Sequence, residues 1–133
     1  MKKLENKVAL LTGASSGIGA VIAKSLSSEG VEVVGIARSE TGLQKTKMDI
    51  ESNGGKFHSI SFDITDPSNL SELKTRVEDL VGNIDILINN AGIEEYNYFS
   101  NYTLEYIQKI TSVNLLAPME ITRKFLPELH ENN

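Results

Sequence analysis

The chain has 133 residues, 13 Lys and Arg against 18 Asp and Glu, a net charge of −5, and a hydrophobic fraction of 40%. That composition supports one folded domain and lacks the clustered basic charge of a nucleic-acid surface. Without cysteine, disulfides and thiolate metal sites are excluded. The charged segment Met1–Lys7 and the lack of any apolar run near the ~20 residues of a membrane span predict a cytoplasmic protein with no membrane partner.

The first element is an apolar run, Val8-Ala9-Leu10-Leu11, leading into Thr12-Gly13-Ala14-Ser15-Ser16-Gly17-Ile18-Gly19 and then an amphipathic segment. This reads as strand, tight turn and helix start. Gly13 allows a positive φ, Gly17 offers no Cβ to an approaching diphosphate, and Gly19 lets the helix lie close to the strand. The first N–H groups of the helix face the anion, and Ser15 and Ser16 add hydroxyls. Gly13, Ser15, Ser16, Gly17, Ile18 and Gly19 are therefore the candidate pyrophosphate cradle. A Walker P-loop is excluded, because Lys24 lies well inside the helix.

The spacing Gly-x-x-x-Gly-x-Gly resembles the fingerprint of the short-chain dehydrogenase/reductase superfamily. The resemblance implies an α/β fold, a Rossmann-type doubly wound parallel sheet. It also implies hydride transfer between a nicotinamide cofactor and a carbonyl or alcohol carbon.

After the loop, Ile18, Val21, Ile22, Ser25 and Leu26 share one helical face, and Gly30 is placed to cap it. Val31–Ile36 reads as a strand buried on both faces. Ala37-Arg38-Ser39 follows, with no carboxylate at the strand end to hold a ribose 2′-hydroxyl. Arg38 offers a fork of donors suited to a 2′-phosphate, and Ser39 adds a hydroxyl, so NADP is favoured over NAD. The competing reading is a solvated arginine paired with Glu40. Residues 41–53 form a weaker helix with Leu43, Lys47 and Ile50 inward, stopped by Asn53-Gly54-Gly55. The third strand is expected over 56–62. His58 within it reads as a packed or surface ring with no evident carboxylate partner. By the resemblance, Asp63 and Ile64 at its end hold the adenine; the alternative is turn chemistry.

Asp66-Pro67 signals a helix start, and Leu70, Leu73, Val77 and Leu80 mark its apolar stripe up to Gly82. The fourth strand, 84–88, leads into Asn89-Asn90-Ala91-Gly92. In the family this element ties strand ends together and lines the cofactor's ribose, a role the resemblance carries to Asn90, Ala91 and Gly92. The loop 93–100 carries Tyr96, Tyr98 and Phe99 and is expected to pack on the surface rather than border a substrate. Thr103 caps a helix with Leu104, Ile107 and Ile110, whose pattern runs on through Leu116 and Phe125 and ends near Pro127 or shortly after. His130 near that end suits the helix dipole. By resemblance Val113 lies near the nicotinamide. Asn114 is the family's helix Asn, the one catalytic residue carried over; it distorts its helix and positions a water. The alternative for Asn114 is local bonding.

The family's catalytic Ser and its Tyr-x-x-x-Lys lie beyond that helix, and none of Tyr96, Tyr98, Tyr102 and Tyr106 has Lys four residues on. The expected sheet order is thus 3-2-1-4, cut from 3-2-1-4-5-6. The chain alone is expected to be inactive, taking a small-molecule substrate only when completed by a C-terminal half. Strand four, with Ile84, Ile86, Leu87 and Ile88, is expected to be an exposed apolar edge that favours homo-oligomers or strand pairing. The competing readings are a non-catalytic nucleotide-binding module and an inert fragment.

Overall fold

A computed structural model describes residues 4–131; Met1–Lys3 and the side chain of His130, including its expected dipole contact, lie outside the described residues. The elements alternate: β1 (Val8–Thr12), α1 (Gly17–Ser28), β2 (Glu32–Ala37), α2 (Glu40–Glu51), β3 (Phe57–Ser61), α3 (Leu70–Val81), β4 (Ile86–Ile88), α4 (Leu104–Thr111) and α5 (Ala117–Glu131). Short 3₁₀ turns at Pro67–Asn69 and Phe99–Asn101 precede α3 and α4, and a π-helical turn, Ser112–Leu116, joins α4 to α5. The strands are parallel in the order β3-β2-β1-β4, as the sequence predicts.

Successive strand residues point to opposite faces, and both faces are covered. Leu10, Val34, Ile36 and Ile60 pack with Leu73 and Val77 of α3 and Ile121 and Phe125 of α5. Ala9, Leu11 and Val33 pack on the other face with Ala23 of α1 and Leu43 and Ile50 of α2. This double cover explains the nearly unbroken apolar strands. It also places the ends of all four strands, and the loops that follow them, in one crevice.

Several expectations are corrected. The inward side of α1 is Gly19 and Ala23, with Ile22 and Leu26 at its flank; Ile18 and Val21 are exposed. The helix approaches the sheet too closely for a large residue at its centre. On α2, Thr46 rather than Lys47 is buried, and its hydroxyl donates to the Ala14 carbonyl (3.1 Å). On α3, Leu80 is exposed, while its neighbour Val81 packs against the core. The long helical run does extend shortly past Pro127, which lies inside α5, to Glu131. β4 is the edge strand expected, but its apolar side chains are not fully exposed: Ile84, just before it, is fully buried and Ile86–Ile88 are half-buried. Side chains leave a sheet through its faces, so its edge presents backbone. In the loop at 93–100 the rings of Tyr96, Tyr98 and Phe99 are exposed rather than packed into the core, although Ile93 and Glu95 are held by Asn114 and Tyr102.

Charge pairs close the opposite side. Glu128, 5% exposed, reaches from α5 to Lys74 of α3 (2.8 Å). His58 has the carboxylate partner the sequence did not reveal: its Nε2 lies 2.7 Å from Glu32 Oε1 on the neighbouring strand.

Candidate cofactor site

β1 ends on Thr12, which is 1% exposed and is the hub of the site. Its Oγ1 accepts from the backbone N–H of Asn90 (3.1 Å) and of Ala91 (3.0 Å). In return, Asn90 Nδ2 donates to the carbonyls of Thr12 (3.1 Å) and Gly13 (3.3 Å). The N–H groups of Gly13 and Ala14 donate to the Ile36 carbonyl at 2.8 and 3.2 Å. The ends of β4, β1 and β2 are therefore tied together, and the glycine loop starts from a fixed point.

The glycines divide the work much as their spacing predicts. Gly13 has φ +72°. A Cβ on Gly19 would lie 2.0 Å from the Gly13 carbonyl oxygen, so only glycine allows α1 to start this close to β1. Gly17, at φ +54°, is different: a Cβ there would meet nothing within 4 Å. The space beside it belongs to solvent or ligand.

The start of α1 is prepared for an anion. Ser16 occupies the N-cap position, yet its side chain makes no capping hydrogen bond, and the first turn holds no acidic residue. The first N–H groups of a helix lack intrahelical acceptors, and here no side chain of the cap or of that turn takes their place. An anion's oxygens match that donor set.

A cleft of about 920 Å³ opens over these strand ends. It brings together Gly13, Ser15, Ser16, Ile18, Gly19, Arg38 and Ser39. Asp63, Ile64, Asn90, Ala91, Gly92 and Val113 complete it. Gly17 and Asn114 are not among its lining residues. Thr12, Thr65, Lys109 and Ser112 also line it and were not singled out from the sequence. For Thr12 a signal existed, a hydroxyl residue directly before the glycine run. For Lys109 and Ser112, one helical turn and one residue before Val113, only the fold supplies the reason.

Arg38 leaves the end of β2 exposed, and no Arg38–Glu40 ion pair forms among the described residues. Ser39 caps α2, accepting from Gly42 N–H at 3.1 Å. Asp63 is used in a turn: its Oδ1 accepts from Thr65 N–H (3.0 Å) and Thr65 Oγ1 (2.8 Å). Those two bonds, and after them the charge of Arg38, hold the Asp63 carboxyl below the usual carboxylate range against a small burial effect. Asp63 therefore stays an acceptor at neutral pH, and turn chemistry and cleft lining coexist at this residue.

The helix distortion expected at Asn114 is present as the π-helical turn 112–116, in which the Ala117 N–H reaches back five residues to the Ser112 carbonyl. The Asn114 side chain is used locally. Its Oδ1 accepts from Ile93 N–H (2.9 Å) and its Nδ2 donates to the Ile93 carbonyl (2.8 Å). Asn114 thus clamps the segment after Gly92 to the helix.

Residues 7–133 match the family model described as short chain dehydrogenase. The chain belongs to the short-chain dehydrogenase family. It is 48% identical over 131 residues to the ketoacyl reductase HetN of a Nostoc species, covering 98% of this chain and 46% of that protein. It is 34% identical to the 3-oxoacyl-[acyl-carrier-protein] reductase FabG of Escherichia coli, covering 90% and 48%. Among solved structures, a metagenomic short-chain oxidoreductase in complex with NADP aligns with TM-score 0.89 and 32% identity over 96% of this chain and 58% of that one. The L-sorbose reductase of Gluconobacter frateurii, complexed with NADPH and L-sorbose, aligns with TM-score 0.88 and 27% identity over 96% and 49%. The chain spans about half the length of the curated relatives it matches. No helix among the described residues is long and apolar enough to cross a membrane.

Proposed function

We propose that this short-chain dehydrogenase segment binds NADP and is the cofactor-binding portion of an oxidoreductase acting on a carbonyl or alcohol. The observation that carries the reading is the pairing of an unblocked α1 N-terminus with Arg38 in the same cleft, free of Glu40. The bound cofactor would supply the hydride. The residues of this chain would hold and orient it. Gly17, Ile18, Gly19 and Ser16 would donate to the pyrophosphate. Arg38 and Ser39 would receive the 2′-phosphate, Asp63 and Ile64 the adenine, and Asn90, Ala91, Gly92 and Val113 the nicotinamide side. The backbone at Asn114, loosened by the π turn, would hold a water, since the Asn114 side chain is committed to Ile93.

Calorimetric titration tests the cofactor. NADP⁺ should bind more tightly than NAD⁺, and Arg38→Ala should weaken NADP⁺ by roughly tenfold or more, the scale of hydrogen bonds to a charged group, leaving NAD⁺ unchanged. An unaltered NADP⁺/NAD⁺ ratio in Arg38→Ala would remove the reading. A non-catalytic nucleotide-binding role is the second reading, favoured by one observation: Asn114, the one residue carried over as catalytic, spends its side chain on Ile93. Under either reading, NADPH-dependent carbonyl reduction by these 133 residues alone should be undetectable. The backbone edge of β4, paired only with β1 among the described strands, is the surface proposed for association with further polypeptide or another copy.

A further inference from the structure

The glycine loop is also held by α2, the helix that starts beside Arg38. Ser39 lines the cleft with Arg38 and caps α2, its Oγ accepting from Gly42 N–H at 3.1 Å. Within its first turn α2 comes up against the loop. A Cβ on Gly42 would lie 2.8 Å from the Ser15 carbonyl oxygen and 2.9 Å from the Ser15 Cβ, so glycine permits this close approach of two backbones. One turn further, Thr46 is buried between the inward residues Leu43 and Ile50. An aliphatic residue would suit that place on packing grounds alone. The Thr46 hydroxyl instead has two carbonyls within reach, Ala14 of the loop (3.1 Å) and Gly42 on its own helix (3.2 Å).

The two acceptors are not equivalent. The Gly42 carbonyl lies in a helix, where the N–H four residues on serves it. Ala14 is fully buried, and among the described residues no backbone N–H donates to its carbonyl. A buried carbonyl without a donor is costly, and Thr46 supplies the donor. The Ala14 N–H in turn donates to the Ile36 carbonyl at the end of β2 (3.2 Å). Ala14 is thus held at its N–H by β2 and at its carbonyl by α2. That carbonyl shares one planar peptide with the Ser15 N–H, so fixing the carbonyl fixes the direction of the N–H. Ser15 and Ser16, which follow, line the cleft and lead into α1.

We infer that Thr46 is a positioning residue of the cofactor site. Its hydroxyl sets the plane of the Ala14–Ser15 peptide, and through it the loop that meets the pyrophosphate, while Thr46 itself does not line the cleft. One helix then serves both ends of the cofactor, through Ser39 at the 2′-phosphate and through Thr46 at the pyrophosphate. The inference rests on the reading of the cleft as a cofactor site.

The test compares the unaltered chain with Thr46→Val, which keeps the shape and removes the hydroxyl, and with Thr46→Ser, which keeps the hydroxyl. The first readout is calorimetric titration with NADP⁺ and with NAD⁺. Both carry the pyrophosphate, so Thr46→Val should weaken both by the same factor, roughly fivefold, the scale of one neutral hydrogen bond. Thr46→Ser should restore both. The second readout is amide hydrogen exchange without cofactor. In Thr46→Val the Ala14 N–H should speed up by a larger factor than the N–H groups of Leu10 and Leu11 within β1, because the loop is released locally. Unchanged affinity in Thr46→Val, a shifted NADP⁺/NAD⁺ ratio, no recovery in Thr46→Ser, or one common exchange factor for Ala14 and β1 would each overturn the inference. The unaltered chain separates the two proposals. NADP⁺ binding there, with Thr46→Val indifferent, sinks the positioning role alone. No binding of either cofactor sinks the cofactor reading and the positioning role with it.

Discussion

At the N-terminal ends of the strands, charged groups close on one another. Lys7 Nζ lies 2.9 Å from Asp85 Oδ1, whose other oxygen accepts from Val8 N–H at 2.9 Å. Glu32 takes His58 at 2.7 Å and Lys56 at 3.8 Å. At the C-terminal ends of the same strands the inner groups are just as fully bonded, through Thr12 and Asn90, but the outer ones are not. The Ser16 hydroxyl does not cap its helix, Gly17 faces empty space, and Arg38 makes no ion pair with Glu40. One end of the sheet is saturated. The other holds donors left open to solvent or to a ligand. The difference supports the cofactor site proposed at the cleft end, because unpaired donors beside a large cleft suit an anionic ligand.

Three substitutions probe that contrast, in falling order of effect. Gly19→Ala puts a Cβ 2.0 Å from a backbone oxygen, and α1 must move off β1. A loss of about 3 kcal/mol in urea denaturation, at the upper range for overpacking, should accompany loss of NADP⁺ binding. Thr12→Val keeps the shape and removes the acceptor of two N–H groups. It should cost about 2 kcal/mol, the scale of leaving buried donors unpaired, and weaken NADP⁺ through the loosened Asn90–Gly92 segment. If stability is unchanged in Thr12→Val, Thr12 is not the hub described here.

Asp85→Asn acts at the saturated end and should cost no more than about 1 kcal/mol, since Lys7 is partly exposed, with NADP⁺ affinity untouched. Burial alone would raise the Asp85 carboxyl, but Lys7 and the Val8 N–H outweigh it and the value is lowered. A carboxyl depressed in the folded state stabilises above its unfolded value, about pH 3.9, and loses that contribution as pH falls through the folded value. The stability difference between Asp85→Asn and the unaltered chain should therefore be constant near neutrality and vanish in strong acid. Persistence of the difference in strong acid would show that the Asp85 contribution is not ionic.

The elements nearest the cofactor were the most legible. Glycine spacing carries steric information directly, so Gly13 and Gly19 behave as their positions demand. Capping chemistry is equally local, and Thr103 bonds Tyr106 N–H as its place before Leu104 suggests. Helix faces were less legible where the partner is close. Periodicity placed Ile18 and Val21 among the inward residues of α1, yet the nearness of β1 admits only Gly19 and Ala23 there. The His58–Glu32 pair joins residues 26 apart, and its existence depends on strand register alone.

By itself the sequence determined the order of strands and helices, the position of the glycine turn and the absence of a carboxylate after β2, because each depends on neighbours within a few residues. Only the tertiary structure decided that Thr12 joins three strand ends, that the Asn114 amide is spent on Ile93, and that Tyr106 carries a buried hydroxyl with no partner among the described residues. Those depend on distances between segments 20 to 80 residues apart, roughly, and such distances come from packing on both faces of one twisted sheet.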